Sequence, residues 1–341
     1  MRRRLRNDGE SGIALLVVLL AITLLTIVVI EFTESAQVET HLAFSARNAL
    51  QANYLARSGV NVGEALVLVD AQIGGGGDSL QDVWARPFPP LPIGDGTVAF
   101  RVRDEARFLN VNDMISAGTL RTERVDVFRR LFTILGVDPR VLTAIIDWID
   151  RDEIPFPTPI GAEQSSYFAL EPPVYVRNGP LLTLRELLLV RGVTPTILAR
   201  LEGFVTVLPP ANELKVNVNT APAEVLYALS PGTLGDPGVI DRLISTRETA
   251  PLTSMGEIKA VTGLDEALGE HGRGFVDFDS SYFRIEAVGE IDEVRRGIVE
   301  LVKRDGKRMT RVSWTPSSTT LALTSQPPSD FLATLPLLGD S

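Results

Sequence analysis

An α+β fold is predicted for this 341-residue chain by three observations. An apolar run near the N-terminus continues, without a proline, into a tract of helical spacing. Strand-like alternation occurs once before the middle of the chain and three times after it. Between those strands lies a long series of helical segments broken by prolines and glycines. The simplest assembly packs the strands as a small antiparallel sheet on the second half of a long N-terminal helix, with a large all-α domain inserted between the first strand and the second.

Residues 13–30 read IALLVVLLAITLLTIVVI and carry no charge. As a helix they rise about 27 Å, close to the ~30 Å hydrocarbon core of a bilayer. Arg2, Arg3, Arg4 and Arg6 precede them, and Glu31 and Glu34 follow. Positive charge stays on the cytoplasmic side, so the N-terminus is expected in the cytoplasm and the rest across the membrane. A cleaved secretory signal fits less well. The apolar run is longer than the usual 7–15 residues, and Thr33-Glu34-Ser35-Ala36 is a poor small-residue site. From Glu31 to about Val69 there is no proline, and Val38, Leu42, Ala46, Ala49, Ala56, Val60, Gly63 and Val67 recur near helical spacing. The spacing predicts one continuous rod of about 57 residues, spanning about 85 Å.

The run Gly74-Gly75-Gly76-Gly77 ends the rod. Pro87, Pro89, Pro90 and Pro92 mark an irregular connection. Residues 97–103 (TVAFRVR) alternate as a half-buried strand. Helical segments fill 110–274. Strands return at 282–289, 295–303 and 309–314, the last two joined at Arg304-Asp305-Gly306-Lys307, a good hairpin turn. From Pro316 onward Ser, Thr, Pro and Leu dominate, and a disordered tail is expected.

Composition excludes several functions. There is no cysteine, which removes disulfide scaffolds, iron–sulfur clusters, Cys-ligated zinc and thiol catalysis. His41 and His271 are the only histidines, too few for a His-rich metal or catalytic site. The balance of 33 basic against 43 acidic residues gives a net charge of −10, the wrong sign for a general nucleic-acid binder. Mean hydropathy is nevertheless positive at +0.14, because the apolar residues are concentrated in 13–30. No nucleophile elbow, P-loop or dinucleotide fingerprint occurs, and the chain is expected not to be an enzyme.

The strongest local constellation is Asp147-Trp148-Ile149-Asp150-Arg151-Asp152-Glu153, followed by Gly161-Ala162-Glu163. Asp147 and Asp150 share a helix face if the helix continues. Carboxylates at a helix C-terminus meet the negative end of its dipole and call for a cation. Calcium, a hard ion with six to eight oxygen ligands, suits such a loop. Its expected ligands are Asp147, Asp150, Asp152, Glu153 and, from the far side of the loop, Glu163. The carboxylate ladder of an EF-hand is missing. A solvated acidic loop is the plain alternative, and a paired-carboxylate hydrolase has no cleft signature to support it. Trp148 is expected in the core, His41 on the rod surface, and His271 exposed in the glycine-rich loop 269–274.

Two weak repeats occur. Leu109-Asn110-Val111-Asn112-Asp113 returns as Val216-Asn217-Val218-Asn219-Thr220, and 183–193 (TLRELLLVRGV) returns as 254–264 (SMGEIKAVTGL). Asp113 and Thr220 suit helix N-caps. Pro222 and Glu224 suit the first turn that follows. The second repeat reads as a helix closed by a glycine in a left-handed C-cap. This pattern resembles helix-hairpin-helix (SAM-like) modules, including those of competence DNA receptors. That resemblance implies an alternative function, a membrane-anchored DNA receptor, over about 215–265. The charges argue against it. Arg191 and Arg200 stand against Glu186 and Glu202, and Lys259 against Glu257, Asp265 and Glu266. Phosphate binding draws its affinity from several released counterions, so no nucleic-acid partner is expected and the modules read as packing geometry.

The short basic leader, Gly12 and the uninterrupted helix resemble type IV pilins and pseudopilins. The resemblance implies cleavage by the prepilin peptidase after Gly12 and methylation of a new N-terminus at Ile13. Most family members have Glu as the fifth mature residue. Here it is Val17, as in the K-type minor pseudopilins of type II secretion. The segments DWID…GAE and VNVNTAPAEVL are also similar to that type. The resemblance implies a pilin-like helix and sheet with an inserted helical domain that binds calcium. It implies a bacterial inner-membrane protein with a single span and most of the chain periplasmic. The implied partners are the I- and J-type minor pseudopilins in a complex at the pseudopilus tip, the major pseudopilin, the prepilin peptidase and inner-membrane lipid. Assembly, powered by a separate cytoplasmic ATPase, would push exported proteins through an outer-membrane channel. The expected organisation is a leader at 1–12, a transmembrane helix at 13–30 and its periplasmic continuation at 31–73. A linker and first strand follow at 74–109, the inserted domain at 110–275, the remaining strands at 276–314 and the tail at 315–341. Removing the leader takes away four arginines and two acids and moves the net charge from −10 to −12.

Overall fold

The computed structural model describes residues 8–73, 76–157, 161–168, 171–210, 215–231 and 238–317. The start of the leader and the tail from 318 onward lie outside the described residues. Along the chain the first elements are α1 (Asp8–Ile73), β1 (Leu91–Ile93), β2 (Gly96–Asp104), β3 (Leu109–Asn110), β4 (Ile115–Ser116) and β5 (Thr119–Leu120). Next come α2 (Thr122–Ile134), α3 (Pro139–Ile149), α4 (Gln164–Phe168), α5 (Pro195–Leu201), β6 (Val205–Thr206) and β7 (Val216–Asn217). The last are α6 (Ala223–Leu229), α7 (Gly238–Thr249), α8 (Met255–Ala260), α9 (Leu264–Gly274), β8 (Val276–Asp277), β9 (Tyr282–Ile291), β10 (Val294–Asp305) and β11 (Arg308–Ser317).

The rod is continuous over 66 residues. Its side chains from Gly12 to Arg47 are all exposed. Val38, Leu42 and Ala46, expected on a packed face, therefore meet nothing. The body begins where the Asn48 side chain donates to Asp292 Oδ2 at 2.7 Å. From Ala52 onward one stripe of α1 lies on a five-stranded antiparallel sheet of order β1-β2-β9-β10-β11. Small residues let the helix approach closely. A Cβ at Gly59 would stand 2.7 Å from Val98 Cγ2, and one at Gly289 would collide with the Ala52 carbonyl. Ala56, Val60, Val67, Trp84, Phe100, Phe283 and Ile285 fill this interface.

The sheet follows the expected plan with differences at its edges. β1 forms in the proline-rich stretch read as irregular, because Pro92 sits on an edge strand where its missing amide costs nothing. β11 extends past 314 to Ser317. The β10–β11 turn is Gly306-Lys307, with φ +56° at Gly306.

The inserted domain connects β2 to β9 and has its own core, centred on Leu131, Phe132, Ile145, Ile146, Trp148, Leu187, Leu201 and Leu226. It is not purely helical. β3 pairs with β6, β4 with β5, and β7 with β8, each over two residues. Ladders this short are set by tertiary contact and leave no periodicity to read. Asp113 and Thr220 are not N-caps. Asp113 lies within the 3₁₀ turn Val111–Met114 and pairs with Arg121 at 2.9 Å and Arg124 at 3.1 Å. Thr220 donates to Asp104 Oδ2, and Pro222 itself caps α6. The two glycine turns are left-handed, with φ +85° at Gly192 and +83° at Gly263, but they stand two residues beyond the helix ends at Val190 and Val261. His271 is exposed but helical, in α9, which kinks at Gly269.

Candidate metal centre

α3 is amphipathic with its apolar face buried, and Asp138 caps it by accepting from the Arg140 amide. Asp147 lies one turn before its end. Asp150 is the C-cap with ψ −179°, so the helix stops there and does not carry both acids as one helical face. The chain then turns back, and Glu163 immediately precedes α4.

Asp147, Asp150 and Glu163 each offer an oxygen within 4.8 Å of the others. They are 0%, 8% and 4% exposed. Asp147 accepts from the amides of Phe156 (2.8 Å) and Ala162 (2.5 Å), which folds the loop onto the helix end. Gly161 is needed here, since a methyl group would overlap Asp147 Oδ2. Asp150 Oδ1 and both Glu163 oxygens are buried without a hydrogen-bond partner. Among the described residues none of the three forms an ion pair. Burial, then the charges of Asp152, Glu163 and Asp147, push the Asp150 carboxyl up to about 8. Burial, then Asp147, Asp152 and Glu153, push Glu163 up to about 7. Asp147 is raised by burial against the pull of its two amides.

The structure does not bring Asp152 and Glu153 into this group. Both are exposed, and Asp152 accepts from the Ile154 amide in a local turn. The chain reverses at Asp150, so Asp152 and Glu153 face solvent. Trp148 is fully buried and donates to Glu186 Oε1 at 3.2 Å. The processing residues Gly12 and Ile13 lie within α1, and the apolar side chains from Ile13 to Ile30 are exposed along it. His41 is exposed on the rod.

A second group of carboxylates was not singled out in the sequence. Asp78 and Asp104 are buried where body and inserted domain meet. Arg304 pairs with both oxygens of Asp78, and the Ser280 amide donates to Asp78 at 2.6 Å. Asp104 accepts from Thr220 (2.5 Å) and from the Ala106 amide (2.7 Å). Glu105 accepts from Arg103, Arg284 and Thr206. Burial raises the Glu105 pKa, but the Arg284 and Arg103 charges and the hydrogen bonds outweigh it and hold the carboxyl below its usual range. The charged Asp104-Glu105 pair ending an alternating strand was the available clue.

Three buried carboxylates without a basic partner among the described residues fit a hard cation with oxygen ligands. A helix long and apolar enough to cross a membrane, a sheet packed on its far half and an inserted helical domain together define a membrane-anchored, pilin-like subunit with an enlarged head. Models of the type II secretion system (T2SS) protein K family match residues 107–210 and 216–270. The protein K of Aeromonas hydrophila is 30% identical over 312 residues, covering 84% of this chain and 90% of its own. That of Pseudomonas aeruginosa is 28% identical over 313 residues (88% and 91%). That of Klebsiella pneumoniae is 31% identical over 240 residues (67% and 72%). A chain of the crystal structure of the GspK-GspI-GspJ complex from enterotoxigenic Escherichia coli superposes with a TM-score of 0.66 at 19% identity, covering 81% of this chain and 99% of that one. The chain belongs to the type II secretion system protein K family, the K-type minor pseudopilins. The DNA-receptor alternative finds no support among these relatives.

Proposed function

We propose that this chain is a structural subunit, not an enzyme, that caps the pseudopilus of a type II secretion system. The observation that supports it best is the placement of the head. The inserted domain joins the body where α1 ends, through Asn217 Nδ2, which donates to the Asp78 carbonyl (2.9 Å) and to Ser280 (2.8 Å). The apolar run lies at the opposite end of the same helix. A head of this bulk leaves no room for another subunit to stack above it. The I- and J-type minor pseudopilins are the partners in this reading. The solved complex of a structurally similar chain favours them. The major pseudopilin and inner-membrane lipid would contact the exposed half of the rod.

In this reading the prepilin peptidase removes residues 1–12, Ile13 is methylated, and the rod stays in the inner membrane until assembly. The N-terminus is cytoplasmic and the head periplasmic. Calcium binds Asp147, Asp150 and Glu163, supplying the positive charge these oxygens lack. N-terminal sequencing of membrane-extracted protein tests the processing step, and any start other than Ile13 rejects it. Co-purification of the full chain with I- and J-type subunits tests the tip assignment. A chain that binds the major pseudopilin but neither minor subunit overturns it.

A further inference from the structure

The two sequence repeats form matching sets of contacts. β3 pairs in parallel with β6 (Leu109↔Val205), and β7 pairs in parallel with β8 (Val216↔Val276). Each leading asparagine accepts from the amide of the asparagine two residues on, Asn112 to Asn110 and Asn219 to Asn217. The second asparagine then holds both backbone groups of one leucine. Asn112 accepts from the Leu181 amide (2.8 Å) and donates to its carbonyl (3.0 Å). Asn219 does the same with Leu252 (2.8 Å and 2.8 Å). The next amide is taken by a glutamate, Leu182 by Glu186 and Thr253 by Glu257. A short helix ends at Val190 or Val261, the left-handed glycine follows, and α5 or α9 begins. From the leucine to the glycine the two sets keep one constant offset.

They differ in one place. The clamped leucines lie 69 and 33 residues beyond their asparagines. Most of the excess falls after one helix, α3 in the first set and α7 in the second. α7 ends at Thr249 and reaches Leu252 through Ala250 and Pro251, whereas α3 ends at Ile149 and reaches Leu181 only after 150–180. The helices themselves keep a common register, with Val141, Leu142 and Ile145 buried like Val239, Ile240 and Leu243. That register sets Ser245 and Glu248, both exposed, where Asp147 and Asp150 are buried. The added segment is therefore what covers the two aspartates. Its fully buried apolar side chains are Ala162 and Tyr167, with Phe156, Val174 and Val176 packed half-buried against the head core, while Ile154, Phe168 (53%) and Tyr175 (76%) are exposed. Its polar ties are Asp147 to the Phe156 and Ala162 amides, Gln164 to the backbone of Val174 and Val176, and the Arg191 amide to the Tyr167 hydroxyl.

We propose that the described stretches 150–157, 161–168 and 171–180 form a lobe added to one of two equivalent half-domains. A divalent cation of the calcium class at Asp147, Asp150 and Glu163 orders that lobe locally, while the rest of the head folds without it. The proposal rests on the calcium reading above. A lobe with only two fully buried apolar side chains is a less stable unit than the core it covers. A cation linking its Glu163 to the two aspartates at the end of α3 adds a cross-link to that limited burial.

The test uses the full-length protein in detergent, with calcium chloride or with chelator. Titration calorimetry reads binding, and hydrogen exchange reads order. Calcium should slow exchange about tenfold in the described stretches 152–157, 161–167 and 174–177 and leave 183–206 and 216–277 unchanged. Equal slowing in both halves overturns the lobe while leaving calcium binding intact. Absence of binding heat removes the calcium reading and the proposal with it. A second variant replaces 150–180 by the Ala-Pro connection of the other half. It should keep the helical circular-dichroism signal and lose the calcium response. Collapse of the head in that variant overturns the modular assignment.

Discussion

Among the described residues, the buried carboxylates at the junction and those in the head are answered differently. At the junction of body and head, Asp78, Asp104 and Glu105 meet Arg304, Arg284, Arg103, two hydroxyls and backbone amides. In the head, Asp147, Asp150 and Glu163 meet only two amides and one another. A buried charge without a partner is costly, and it is stable only when neutralised, paired or bound to a metal. The junction carries cations of its own for Asp78 and Glu105, while Asp104 is held by a hydroxyl and an amide and burial still pushes it up to about 6. The head group leaves that role to a proton or an ion from solution. One group therefore welds the fold and the other can respond to the surroundings.

The sharpest way to break the comparison is at the junction. Arg304→Ala leaves Asp78 buried and unpaired, and removing one partner of such a pair costs about 3–5 kcal/mol. The loss should appear in denaturant melts and should not be rescued by calcium. A change under 1 kcal/mol would mean that the weld is ornamental. The next effect concerns the head. At calcium a hundredfold above its Kd, binding to the folded state adds about 2.7 kcal/mol. Asp150→Ala should abolish that gain in calorimetric melts and raise the calcium-free midpoint at neutral pH, because it removes a buried carboxyl that must take up a proton on folding.

A smaller effect is the pH dependence of the calcium-free protein. Asp150 and Glu163 are raised to about 8 and about 7, above unfolded values of about 3.9 and 4.3. The folded state then holds more protons than the unfolded state, so stability falls as pH rises. It should be fullest below pH ~4 and decline until pH ~8, and calcium should flatten the decline. Stability that rises through that window without calcium would contradict the raised values. Calcium affinity should itself increase with pH, since binding displaces protons. The smallest effect is expected at Asp152→Ala. The side chain is exposed and outside the group, so the calcium-induced shift in melting midpoint should survive it. Loss of that shift would return Asp152 to the ligand set.

Much of this was legible along the chain. Residues 13–30 announce a membrane helix by composition, and the absence of proline to Val69 announces the rod. Period-two alternation located β2, β9, β10 and β11, because half-buried strands must alternate. β1 was hidden by its prolines, and the two-residue ladders were too short to have a period. Asp147, Asp150 and Glu163 stood out as acids at a helix end and beyond a glycine. The same reasoning swept in Asp152 and Glu153, since spacing does not tell which side of a chain reversal a residue takes. Val38, Leu42 and Ala46 have helical spacing yet lie on bare rod, because periodicity records a face and not what covers it.

The sequence by itself determined the anchor, the rod, the order of strands and inserted domain, and the local surplus of negative charge. These follow from composition and period, which act over neighbouring residues. Only the tertiary structure decided which acids meet an arginine and which meet one another. Asp78 finds Arg304 across 226 residues, and Asp104 finds Thr220 across 116. Those encounters depend on how helix and sheet pack, and that packing sets which buried charges meet an arginine of the chain and which are left with one another.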